Sequence, residues 1–123
     1  MARASKLLAG LLVADAVGAI VAVRERVAGE PLGVGASFDV RRPAVLLFWG
    51  TGLSAPLASL AGAVVLRRVW PQGLRALGVV FAAGALCEPV FWGRRSCSFL
   101  GRLVLVSHVG LAAGIAATPH DAP

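Results

Sequence analysis

Four long apolar stretches, at residues 7–23, 43–66, 74–92 and 99–117, alternate with short polar interruptions along this chain. Each reaches the ~17–20 residues needed to cross a ~30 Å hydrocarbon core at ~1.5 Å per helical residue. No water satisfies backbone amides inside a bilayer, so segments of this kind are helical. The pattern predicts an all-α fold, an integral membrane bundle of four transmembrane helices. Loops are short except for one between the first two helices.

The interruptions and the residues inside the stretches refine this picture. The long connection, residues 24–43, contains Gly29, Pro31, Gly33 and Gly35 and shows neither helix nor strand period. Its Gly33-Val34-Gly35-Ala36-Ser37 lacks a third glycine and a lysine-serine ending, so it reads as a loop rather than a phosphate cradle. Pro43 suits the first turn of the second helix. Pro56, near the middle of that helix, removes a backbone hydrogen bond and predicts a kink, with Thr51 or Ser54 one turn earlier to satisfy freed groups. The turn at 67–73 is short and makes the second and third helices antiparallel neighbours. Another basic turn after Trp92 does the same for the third and fourth.

Trp49, Trp70 and Trp92 fall near segment ends, where indole rings anchor at the membrane interface. Small residues recur at every fourth position: Gly10, Ala14, Gly18 and Ala22 in the first helix, Gly50, Ser54, Ala58 and Gly62 in the second, Gly110 and Gly114 in the fourth. Such ridges let helix backbones approach closely in lipid. They are expected to pack within the chain, in a homo-oligomer or in a larger membrane complex.

Composition supports one membrane domain spanning residues 1–123. The chain is 58% hydrophobic with a mean hydropathy of +0.81, above the ~45–50% apolar content of soluble domains. The net charge of +6 comes from small basic groups at segment ends, such as Arg24 with Arg26, Arg41 with Arg42, and Arg94 with Arg95. Side chains there snorkel toward lipid phosphates, and no stripe gathers the charge as a nucleic-acid footprint requires. The partner is therefore the lipid bilayer and not nucleic acid. Counting lysine and arginine by loop gives seven on the side of the long loop against five on the other, a lean toward both termini outside. The apolar start with small residues around Asp15 also has features of a signal peptide, but the aspartate and the three further spans favour a retained first helix. Cys87 and Cys97 are expected to be free thiols, because Cys87 sits at least a helical turn deeper than Cys97. Arginine-rich, alanine- and glycine-rich composition points to a bacterial inner membrane.

Four ionisable residues lie inside the stretches: Asp15, Glu88, Arg102 and His108. A charge near the bilayer centre costs ~2.5–3.5 kcal/mol on insertion scales, so each is a functional candidate. Glu88 and Arg102 are both seven residues from Arg95, at equal depth on opposite arms of a hairpin, and are expected to form an intramembrane ion pair. Asp15 and His108 are each the midpoint of their segment. Both fall near the midplane, where a carboxylate and an imidazole share a proton if they meet. Burial opposes their ionisation and proximity favours it.

No cysteine–histidine spacing suits a metal, and the other histidine, His120, is in the tail. His108 alone, without a facing ligand, does not make a haem site, so no cofactor is expected. No serine sits in a glycine-flanked elbow, and no catalytic set is present. The leading reading is a non-catalytic helix-packing subunit or scaffold. Its rival is a small proton-coupled transporter or channel using Asp15 and His108, with the Pro56 kink as gate. A third is an intramembrane lipid-modifying enzyme with Glu88 as acid.

Overall fold

A computed structural model describes residues 2–118. Its elements are α1 (Ala2–Glu25), a 3-10 turn (Pro31–Gly33), α2 (Pro43–Phe48), α3 (Leu57–Val69), α4 (Pro71–Leu86) and α5 (Phe99–Ala117). The expected all-α class holds among the described residues. Two of the expected spans are present as helices of spanning length and apolarity, Arg3–Glu25 and Phe99–Ala117. The other two differ from expectation.

Residues 43–66 do not form one kinked helix. They divide into α2 and α3, separated by an irregular segment from Trp49 to Pro56. Gly50 adopts φ +88°, and a side chain there would meet the Pro56 nitrogen and the Ser54 carbonyl at 2.8 Å. Thr51 and Ser54 close a tight turn through Thr51 N–H to the Ser54 carbonyl (3.0 Å) and a hydroxyl–hydroxyl bond (2.8 Å). Pro56 is extended, φ −56° and ψ 134°, and immediately precedes α3. Proline has no N–H to donate and biases its predecessor away from helix. Pro56 therefore separates two helices rather than kinking one, and this corrects the reading of Pro56 as a kink.

The third segment also shifts, from 74–92 to Pro71–Leu86. Pro71 begins the helix three residues early because a proline costs nothing in the first turn. Pro89 cannot continue it, and residues from Cys87 to Gly93 run as successive turns.

α5 is the central helix. It lies antiparallel to α1, with Gly10 facing Leu111, Gly18 facing Val104 and Gly114 facing Leu7. It also packs along α4, where Gly78 meets the backbone of Ala112 and Ala116. The small-residue ridge of α1 is thus used within the chain, whereas Gly62 and Gly110 face open space. One apolar cluster, including Leu8, Leu11, Leu60, Ala63, Leu74, Ala112 and Ile115, fills the half toward the α1 N-terminus. A second, including Val21, Ala22, Val27, Leu53, Val90 and Leu105, fills the other half.

The long loop is not free. Val27, Glu30 and Val40 are buried, Gly52 N–H donates to the Val27 carbonyl (3.1 Å), and Leu32 N–H to that of Cys87 (3.2 Å). The loop caps one end of the bundle. Its contacts are between residues distant in sequence, which local periodicity does not register.

Gly18 is the tightest crossing. A Cβ there would lie 2.4 Å from the Leu53 carbonyl oxygen, a backbone atom that cannot swing away. Gly18→Ala is expected to destabilise the fold by roughly 1–3 kcal/mol. Gly62→Ala, in open space, should be neutral or stabilising by up to about 1 kcal/mol. Thermal unfolding of the two variants in detergent checks the contrast.

Candidate functional site

Asp15 and His108 meet at the middle of the α1–α5 contact. Asp15 Oδ1 lies 2.6 Å from His108 Nδ1, and both side chains are buried. His108 Nε2 lies 3.3 Å from the Phe81 carbonyl of α4. A carbonyl only accepts, so the Nε2–H donates to it and the ring's other nitrogen faces a carboxyl. The pair then holds one further proton between Nδ1 and Oδ1, described equally as imidazolium–carboxylate or as neutral imidazole with carboxylic acid. Either form is net neutral. Removing that proton leaves a buried negative charge and two lone pairs in contact. Asp15 Oδ2 is buried with no hydrogen-bond partner among the described residues. Such an oxygen is costly to bury, and the Ala55 backbone N–H of the irregular segment is the amide placed to offset that cost.

A cavity of about 230 Å³ opens beside this pair, with His108 in its wall. Three elements build it. The irregular segment and the start of α3 contribute Trp49, Thr51, Ser54, Pro56 and Ser59; α4 contributes Leu77, Phe81 and Ala85; α5 contributes Leu105 and His108. Glu88 and Pro31 of the capping loop also line it. Val80 and Gly84 form an outer edge on the exposed side of α4, so the cavity is open there. The break in residues 43–66 supplies part of this lining, from Trp49 to Pro56.

Glu88 does not pair with Arg102. Its Oε2 accepts the Glu30 backbone N–H at 2.8 Å, and it is buried, whereas Arg102 is exposed and lies beside Gly93. Equal depth requires Glu88 on a helical arm, but α4 ends at Leu86 and the turns after it redirect the carboxylate inward. The cation that serves this end is Arg95, which binds Glu30 through Nη2 to Oε2 at 3.1 Å and through Nε to Oε1. Glu88 lies beyond the last residue of α4, outside the helices. Burial pushes its carboxyl up to about 7; the Glu30 amide hydrogen bond opposes the shift, and the Glu30 carboxylate adds to it.

Other residues move relative to expectation. Trp49 is tied into the chain: its Nε1–H donates to the Gly29 carbonyl at 2.6 Å, and its ring packs edge-on against Phe38. Trp70 and Trp92 remain exposed near helix ends. Cys87 and Cys97 are free thiols. Glu25 was not singled out by sequence, yet it accepts Ser98 N–H at 2.8 Å at the start of α5, an acid favourably placed by the helix dipole. The Glu30–Arg95 and Glu25–Ser98 contacts join residues 65 and 73 positions apart, which no local spacing reveals. No group of three metal-ligating side chains converges among the described residues, and His120 lies outside them.

Two outcomes follow from this geometry. His108→Leu should cost roughly 3–5 kcal/mol, because it strands the Asp15 carboxyl in the core, and the double variant Asp15→Leu/His108→Leu should recover much of that loss. Denaturant unfolding in detergent, run as a double-mutant cycle, reads the coupling. Folded Glu88 binds its proton more tightly than in the unfolded chain. Stability should therefore fall as pH rises from about 5 through 7, and Glu88→Gln should flatten that part of the melting profile.

No family model, curated protein or solved structure matches this chain, so the reading of its function rests on the site itself.

Proposed function

We propose that this chain is a small multi-pass membrane protein, of a bacterial inner membrane, that couples proton movement to occupation of its cavity, with Asp15 and His108 as the coupling pair. The observation that carries the reading is a half-open cavity walled by His108, which is itself bonded to the buried Asp15 carboxyl. The exposed faces of the longer helices support the membrane setting. Val13 and Ile20 on α1, Val64 and Val65 on α3, Val79 and Val80 on α4, and Leu103 and Val106 on α5 all face outward. In water this would be a large apolar surface without cover.

Four crossings remain the best account of these elements. α1 and α5 cross as continuous helices. α3 and α4, with 13 and 16 residues, reach only about 20 and 24 Å by themselves. α2 with the irregular segment completes one crossing, and α4 makes the other, with Trp70 and the turns after Leu86 at its two interfaces. A broken crossing beside a midplane site is the arrangement by which many carriers hold their cargo.

A carrier fits better than an open channel. The apolar cluster around Leu8, Leu11, Leu60 and Ile115 fills the half of the bundle toward the α1 N-terminus. Protons would reach the far side only when the packing around residues 49–56 rearranges. Adding a proton to the pair, or removing one, changes its net charge in a dry setting by one unit, and this biases such a two-state element. A second reading, a helix-packing subunit of a homo-oligomer or larger complex, rests on Gly62 and Gly110, whose open faces suit an outside helix.

The test is proton flux into proteoliposomes under an imposed pH gradient, followed with an internal pH dye. Wild-type protein should dissipate the gradient faster than protein-free vesicles. Asp15→Asn should reduce that excess about tenfold or more, by analogy with loss of a positioned acid–base group. Gly84→Leu, which fills the cavity's open edge without a backbone clash, should slow it in a normally folded protein. Equal flux from wild type and Asp15→Asn overturns the reading. Absence of any excess flux turns the assignment to the packing subunit, with cross-linking as the next measurement.

A further inference from the structure

We propose that the cavity takes a small monovalent organic cation with an apolar body, held with its charge toward Glu88. The inference rests on the reading of the cavity as a binding site and names the chemical class that site selects. Three observations carry it.

The first is charge. Among the residues lining the cavity there is one carboxylate, Glu88, and no lysine or arginine. The nearby cation, Arg95, is occupied by both carboxylate oxygens of Glu30. Glu88 receives one N–H, from Glu30, on Oε2. A carboxylate accepts at about four lone-pair positions, so most of its acceptor capacity is open to a guest.

The second is the rest of the wall. Pro31, Ala55, Pro56, Leu77, Phe81 and Leu105 surround the space with apolar surface. Trp49 and Phe81 add aromatic rings, whose faces attract cations. A hydrated inorganic ion finds too few oxygens here, and an anion meets a carboxylate. An apolar body with one positive charge satisfies both parts of the lining.

The third is size and access. About 230 Å³ is below the ~300–1,000 Å³ typical of pockets for drug-sized ligands, so the guest is small. The opening at Val80 and Gly84, on the exposed face of α4, admits a molecule that partitions into the apolar phase.

The titratable groups around Glu88 are Glu30 of the capping loop, whose amide it accepts from and whose carboxylate binds Arg95, and His108, which also lines the cavity and is bonded to Asp15. At neutral pH a buried Glu88 carries a proton much of the time. Binding a cation exchanges it: the protonated carboxyl and the guest give a carboxylate–cation pair and one released proton.

Equilibrium binding in detergent tests this independently of flux, with benzyltrimethylammonium as probe. Its neutral isostere neopentylbenzene and the anion benzenesulfonate serve as comparisons. Calorimetry should show the cation binding at least about tenfold more tightly than either comparison, a difference of about 1.4 kcal/mol. An indicator dye in weakly buffered solution should report proton release near pH 6. Glu88→Gln should weaken cation binding about tenfold and abolish the proton release, with Glu88→Asp retaining part of both. Arg102→Ala, outside the cavity, should leave both unchanged. Equal affinity for cation and neutral isostere, or binding unaffected by Glu88→Gln in a protein that still melts cooperatively, overturns the inference. Asp15→Asn separates the two proposals: it should bind the cation while losing proton flux. Failure of cation binding alongside intact Asp15-dependent flux removes the substrate class but not the coupling site.

Discussion

The contact between Asp15 and His108 is the constraint around which the bundle is organised. A lone carboxyl in the interior of an apolar bundle is costly, and so is a lone imidazole with both nitrogens to satisfy. Placed 2.6 Å apart, with the Phe81 carbonyl completing the ring's hydrogen bonds, they become a net-neutral unit that three helices share. The contact fixes the register of α1 against α5 and of α5 against α4. The glycine crossings at Gly10, Gly18, Gly78 and Gly114 follow that register, bringing the backbones close on either side of the pair.

The irregular segment between α2 and α3 answers a different requirement. Its turn at Thr51–Ser54 satisfies polar groups internally, and Leu53 inserts fully buried between α1 and α5 near Gly18. The chain gives up about two turns of helix here and gains a concave wall. Together with the turns after Leu86, the break allows Glu88 and His108 to face one space from different elements. The capping loop then seals the end of that space, through Glu30 N–H to Glu88 and the Glu30–Arg95 pair. The buried ionisable groups therefore lie in two places, the Asp15–His108 pair and Glu88 with Glu30 under the cap. The cavity connects them.

The apolar pattern by itself determined that the fold is all-helical, and it placed α5 at 99–117 and α1 around 7–23, because long uninterrupted apolar runs leave a backbone no other way to satisfy its amides. It also placed Asp15 and His108 at equal depth, since both are midpoints of spans that begin on opposite sides. Tertiary structure decided the rest. Whether two residues 93 positions apart touch depends on rotation about the helix axes, which apolar composition leaves open. Gly50 and Pro56 signalled irregular backbone, but the eight-residue break and its cavity arise from Leu53 packing and the Thr51–Ser54 turn. Glu88 changed partner from Arg102 to Glu30 because Pro89 ended the helix on which the depth argument relied. Periodicity reports which surface is apolar; long-range hydrogen bonds and proline-terminated turns select which polar groups meet.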